Sequence, residues 1–357
     1  MLRKVIHRLP LGWAVRLALL RLLTQWQSLL TIMVGVLLAA VIGANVPLYT
    51  AAVAQVGMVQ RLAQQPAADV HIFSRVSLTA LEVDDLGATW QAADEVVKDQ
   101  VRRIFEADWP GWVAGTVTWG ETAPMLVVHN GQDIPSTRLR VAFYDGWPEQ
   151  VRLIAGQWPG EPADPAIDLE AALGLEASIT LGLRPGDEIV LDQRGWESSV
   201  PVRARITAIV GERDGESAYW MAPSPLRVDS AGQWAAETNL LTTRQSFLRV
   251  ATAFIPQTRT MLGWRVLFDH SALPFPAIPE AVAHLRGFAE NLGRLFNAPD
   301  GRRLNFVYST SLIPILRAYA QEVGLLGAPF GLLLLQIGAL VLFFLVATAT
   351  LVRRGER

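Results

Sequence analysis

The chain has 357 residues, 51% hydrophobic and 18% charged, with a formal charge of −2. Average soluble domains carry roughly 25% charged residues, so this chain is short of charge, and its 12 Trp and 13 Phe exclude a disordered polymer unable to bury apolar surface. The near-neutral charge excludes the basic face that nucleic-acid binding needs, and the absence of Cys excludes disulfides, thiolate catalysis and Cys-based zinc or iron–sulfur sites.

Residues 1–28 are a basic segment with Arg3, Lys4, Arg8, Arg16 and Arg21, and no acidic residue precedes Asp69. The window 29–46 that follows carries no charge, and only Thr31 and Asn45 are polar. About 20 apolar residues in a helix cross a hydrocarbon core of ~30 Å, so a transmembrane helix is predicted over 29–46. The alternative is a cleaved signal peptide, with Ala52-Val53-Ala54 as its small-residue site; the apolar run is longer than the usual hydrophobic core of such a peptide. Tyr49, Val53, Val56, Val59 and Leu62 then keep a helical period until Pro66, which predicts a stalk helix over 47–66.

Residues 67–308 read as an α+β domain in two lobes, with mixed or antiparallel strands and flanking helices. Trp90, Ala93, Val97, Val101 and Ile104 mark the apolar face of a helix, with Asp94, Glu95, Lys98 and Arg102 on its other faces. Leu139, Val141 and Phe143 alternate with Arg138, Arg140 and Ala142, as in a strand with two unlike faces. Val200, Val202, Ala204, Ile206, Ala208 and Val210 alternate likewise with Arg203, Arg205 and Thr207. Shorter strands are predicted at 113–119, 125–128, 151–154, 189–191 and 264–268, punctuated by Gly and Pro, and a second helix at 279–296.

A second stalk is predicted over 309–322, where Leu312, Leu316 and Tyr319 lead in helical spacing to Val323. The window 323–352 has no charge and qualifies as a second transmembrane helix. Arg353, Arg354, Glu356 and Arg357 form the tail 353–357. Short basic flanks stay in the cytoplasm, so both termini are expected inside and residues 49–321 outside. With the five basic residues before the first window and the three after the second set aside, and Glu356 likewise, 23 basic residues face 32 acidic ones, a charge of −9.

The chemistry that these residues support is limited. A phosphate loop needs a Lys after Gly, and the two lysines, Lys4 and Lys98, do not follow one. No GxSxG elbow and no HExxH pair occurs, and the five His are scattered. Glu212, Asp214 and Glu216 lack calcium-loop spacing and read as a solvated loop. The many Trp read as core and turn packing rather than a carbohydrate platform. Gln336 is the one strongly polar side chain of the second window, and polar groups in a bilayer tend to face protein, which predicts a helix–helix contact.

The stretch Ala166 to Leu191, with Gly182, Leu183, Gly186 and Asp187 in a GLxxGD turn, resembles a segment in the extracytoplasmic domain of FtsX-like/MacB-like ABC transporter permeases. Two further stretches, Val200–Trp220 and 310–357, fit the same family in order. In local terms Leu181 and Leu183 pack inward, Pro185-Gly186 turns the chain and Asp187 caps the turn. The resemblance implies a subunit of the bacterial inner membrane that relays the motion of a cytoplasmic ABC ATPase to the outer domain. It also implies a second permease copy or further permease helices, the lipid bilayer as surroundings, no cofactor, no enzymatic activity of its own, and an ATPase-facing role for Arg353, Arg354 and Glu356. The family has at least four membrane helices; the chain matches the first two, which implies the amino-terminal part of a permease or a shortened form. The alternative is a two-helix membrane scaffold such as a polysaccharide chain-length regulator.

Overall fold

The computed structural model describes residues 26–78, 85–192, 200–213, 218–220, 224–229, 236–253, 260–296 and 305–354. The chain divides into two compact units, residues 1–58 with 318–357 and Val59–Arg317. Residues 1–25, which hold the basic N-terminal charges, lie outside the described residues, as do Asp214, Glu216, Trp196, Trp234 and Glu356.

Two long helices bracket the domain. Helix α1 (Trp26–Ala63) has 38 residues and α8 (Leu312–Arg354) has 43, lengths of about 57 and 65 Å at the helical rise. Both apolar windows fall within them. Among the described residues no helix is long and apolar enough to cross a membrane; side chains at many window positions lie outside that set. The stalk of α1 is helical, but its buried face is Ala54, Met58 and Leu62, while Tyr49, Val53 and Val56 are exposed. Of the predicted stripe only Leu62 is buried and Val59 half-buried, because the buried face runs at intervals of four and uses the small Ala54.

The Val59–Arg317 unit holds the remaining elements: helices α2 (Ala67–Val70), α3 (Leu86–Val101), α4 (Trp147–Gln150), α5 (Leu175–Leu181), α6 (Arg244–Ala253) and α7 (Ile278–Phe296), and eleven strands. The strands are β1 (Ile72–Leu78), β2 (Val113–Glu121), β3 (Met125–His129), β4 (Gln132–Tyr144), β5 (Val151–Gly156), β6 (Leu169–Gly174), β7 (Glu188–Asp192), β8 (Val202–Glu212), β9 (Ala236–Leu241), β10 (Thr260–Phe268) and β11 (Asn305–Ser309).

They make one hydrogen-bonded network, ordered β11-β1-β10-β2-β4-β3-β7-β8-β6-β9, with β5 on β8. A parallel pairing of β4 with β9 closes the last six into a ring. The other four form an antiparallel extension, attached where β2 pairs with the end of β4 at Trp119↔Tyr144 and Glu121↔Ala142. The 13-residue β4 is long enough to serve the ring and the extension in turn.

Alternation decides the faces. In β1 residues Ile72, Ser74, Val76 and Leu78 are buried and Phe73, Arg75 and Ser77 half-buried. In β8 Val202, Ala204 and Ile206 are buried, whereas Val200 precedes the strand and is 54% exposed. Helices α3 and α7 pack on each other, and α3 on β10. Asp85 caps α3, accepting from Ala88 N at 3.0 Å. A π-helical turn, Arg102–Glu106, then shifts the register, so Phe105 rather than Ile104 is buried. Phe105 meets Trp112 and Phe288 at centroid distances of 5.5 and 5.2 Å. Among the tryptophans whose burial is described, only Trp158 is exposed, at 43%, in accord with core packing.

Candidate functional site

On the face of the extension opposite Ser74 and Trp264, the register sets Phe73 beside Arg265, Gly263 beside Trp119, and Trp119 beside Tyr144. The rings stack: Phe73 on Trp119 at 5.3 Å and Trp119 on Tyr144 at 6.2 Å, with interplanar angles of 24° and 17°. Gly263 permits this, because a Cβ there would lie 2.6 Å from the Trp119 ring. The residues floor a cleft of about 570 Å³, completed by β9 and the loop at Ser224–Asp229.

Four guanidinium groups (Arg75, Arg140, Arg227, Arg265) and three carboxylates (Glu121, Asp229, Glu237) line it. The Tyr144 hydroxyl donates to Glu121; burial first, then the Glu121 charge, pushes its pKa well above the ordinary tyrosine value against the pull of Arg265. It therefore stays a protonated donor. Arg140 pairs with Glu237 and lies 4.0 Å from Glu121. Arg265, 5% exposed, donates from Nη1 to the Tyr219 carbonyl at 2.9 Å and lies 4.8 Å over the Tyr144 ring. Among the described residues, Arg75 Nη1 meets the soft acceptor Met261 Sδ, at 3.5 Å. Trp119 Nε1, Arg140 Nε, Arg265 Nε, Thr238 Oγ1 and Asn239 Oδ1 are buried without a hydrogen-bond partner among the described residues.

The other face is closed by α3. Asp94, predicted on a face of α3 other than the apolar one, is buried. Its Oδ1 accepts from Trp264 Nε1 at 2.8 Å and Thr118 Oγ1 at 2.9 Å, and its Oδ2 from Lys98 Nζ at 2.7 Å. Three donors offset the cost of burying the carboxylate; sequence periodicity could not see them because two come from β2 and β10.

In the first unit, Tyr319 Oη donates to the Ala54 carbonyl at 2.8 Å. The hydroxyl sits against Gly57, where any Cβ would collide with it. Gln336 lies on α8 and is exposed; Arg353 and Arg354 end the same helix.

The GLxxGD turn is a helix stop followed by a strand entry. Gly182 ends α5 at φ +67 and donates to Ser178 O. Leu183 is buried and Leu181 half-buried. Gly186, at φ +99, donates to Ile206 O at 2.7 Å, and Asp187 Oδ2 accepts from Arg184 N at 2.8 Å. The motif is thus a backbone device that delivers β7 to β8.

Two histidine clusters remain. His71 and His270 stack at 5.6 Å, with His71 Nδ1 accepting from Phe268 N at 3.0 Å; burial holds each pKa down at about 4. Asp108, Glu280 and His284 bring potential ligand atoms within 4.8 Å of one another, but both carboxylates are exposed. The cleft escaped sequence reading apart from one signal, the outward alternation of Arg138 and Arg140 along β4.

No family model and no curated protein matches the chain. Among solved structures it is similar to the periplasmic region of MacB from Actinobacillus actinomycetemcomitans, at 11% identity and a TM-score of 0.35, with 70% of this chain and 94% of that one covered. It is also similar to a domain named for a permease protein from Porphyromonas gingivalis, at 11% identity and a TM-score of 0.31, with 68% and 90% covered. Likeness of this depth shows neither family nor mechanism.

Proposed function

We propose that the chain is a membrane-anchored permease subunit of the FtsX-like/MacB-like ABC type, whose two helices pass the motion of a separate cytoplasmic ATPase to an extracytoplasmic domain. The observation that carries this is the Tyr319–Ala54 contact seated on Gly57, which ties α1 to α8. A displacement of either helix along its axis loads the other through that contact. Support also comes from the uncharged windows 29–46 and 323–352, the basic ends and the −9 charge between them. In this role Arg353, Arg354 and Glu356 face the ATPase, and Gln336 faces a second copy or the remaining permease helices. The eleven strands of the domain weigh against a coiled-coil scaffold.

The chain is free of cysteine, so topology is tested with single thiols. On intact spheroplasts a membrane-impermeant maleimide should label Ile179→Cys, a site 74% exposed, and label Arg354→Cys only after permeabilisation. Equal labelling of both from outside would overturn the proposal.

A further inference from the structure

We propose that the cleft floored by Phe73, Trp119 and Tyr144 is a binding site for a small anion carried on a flat apolar body. The inference stands on the cleft alone and does not depend on the membrane role. The volume, about 570 Å³, lies within the usual range of small-molecule sites. Phe73 and Trp119 present stacked ring faces, a surface that favours a flat apolar group.

The charge count fixes the sign. Glu237 neutralises Arg140, and Glu121 is engaged by Tyr144. Arg265 is buried and has no carboxylate partner within ion-pair distance among the described residues, and the Arg75 guanidinium meets a thioether. Four guanidinium groups against three carboxylates leave an excess positive charge. Among the lining residues, Trp119 Nε1, Arg140 Nε and Arg265 Nε are donors buried without a partner among the described residues. An anion in the cleft supplies the negative partner that Arg75 and Arg265 lack among the described residues, and a guanidinium binds carboxylate, sulfonate and phosphate oxygens alike through paired donors.

The test is calorimetric titration of the full chain in detergent with 2-naphthoate, 2-naphthyl phosphate, inorganic phosphate and 2-naphthalenemethanol, each corrected by titration into empty micelles. One or both aromatic anions should bind saturably at one site per chain, and whichever binds more tightly identifies the headgroup. Inorganic phosphate and the neutral alcohol should bind at least tenfold more weakly. Arg75→Gln should weaken the aromatic anion about tenfold, and Arg75→Lys should restore part of the loss. Because Arg75 is half-buried and, among the described residues, its guanidinium meets Met261, near-ultraviolet circular dichroism should be unchanged in both variants. The proposal is overturned if no aromatic anion saturates, if the alcohol or inorganic phosphate binds equally well, or if Arg75→Gln binds like the parent chain.

Discussion

The hydroxyl of Tyr319 donates to the carbonyl of Ala54, 265 positions earlier, at 2.8 Å. The contact is a pinned one: Gly57 leaves room for the hydroxyl only because it has no side chain.

Tyr319→Phe removes the bond and keeps the ring, a loss of about 1 kcal/mol and of roughly 2–4 °C in melting temperature in detergent. Gly57→Leu should cost more, because it drives the helices apart. If Gly57→Leu melts with the parent chain, the two helices are not held together at this point.

Asp94 should be the most sensitive polar position of the domain. Asp94→Leu strands the donors of Trp264, Thr118 and Lys98, a loss of about 3–5 kcal/mol. Asp94→Asn keeps one acceptor and should lose less. Urea unfolding followed by Trp fluorescence measures both, and the order Leu below Asn below parent is the expected outcome.

Stability should fall on acidification through the histidine pair. Both His71 and His270 are held near 4 by burial, against about 6.5 when unfolded. Above pH 6.5 neither state gains a proton. Between 6.5 and 4 the unfolded chain takes up protons that the folded one refuses, so stability drops as pH falls, and below 4 the loss is complete. Protonation would also break the bond from Phe268 N to His71 Nδ1. Allowing for partial exposure, the loss is on the order of 2 kcal/mol per histidine. His71→Asn with His270→Gln should flatten the melting temperature between pH 6.5 and 4; an unchanged slope would assign it to other groups.

The purified chain alone should bind no ATP, since it offers no GxxxxGK segment and its two lysines do not follow glycine. Calorimetry with magnesium ATP should give no saturable heat, and a tight site would remove the need for a separate ATPase.

How much was legible in advance differs from element to element. The helix predicted at 279–296 is α7, Ile278–Phe296, because its apolar positions repeat at helical spacing without interruption. The strand around Val202–Val210 was equally plain, since its inward positions are all apolar. By contrast β1 and β9 are not legible in the sequence, because Ser74, Thr238 and Asn239 interrupt the apolar pattern and are nonetheless buried. The burial of Asp94 is likewise not legible in the sequence, since its partners lie 24 and 170 positions away.

By itself the sequence determined the two uncharged windows, the basic ends, the acidic interval, the lack of a phosphate loop and the local turn at Gly182–Asp187. Each is a property of neighbours along the chain, fixed by composition or by backbone preference. Only the tertiary structure decided that α1 and α8 meet at Ala54 and Tyr319, that β4 and β9 close a ring, and that Arg75, Arg265, Trp119 and Tyr144 share one cleft. Those depend on strand register, in which a shift of one residue turns every side chain to the opposite face, and on helix contacts whose stripe the periodicity of one helix cannot choose.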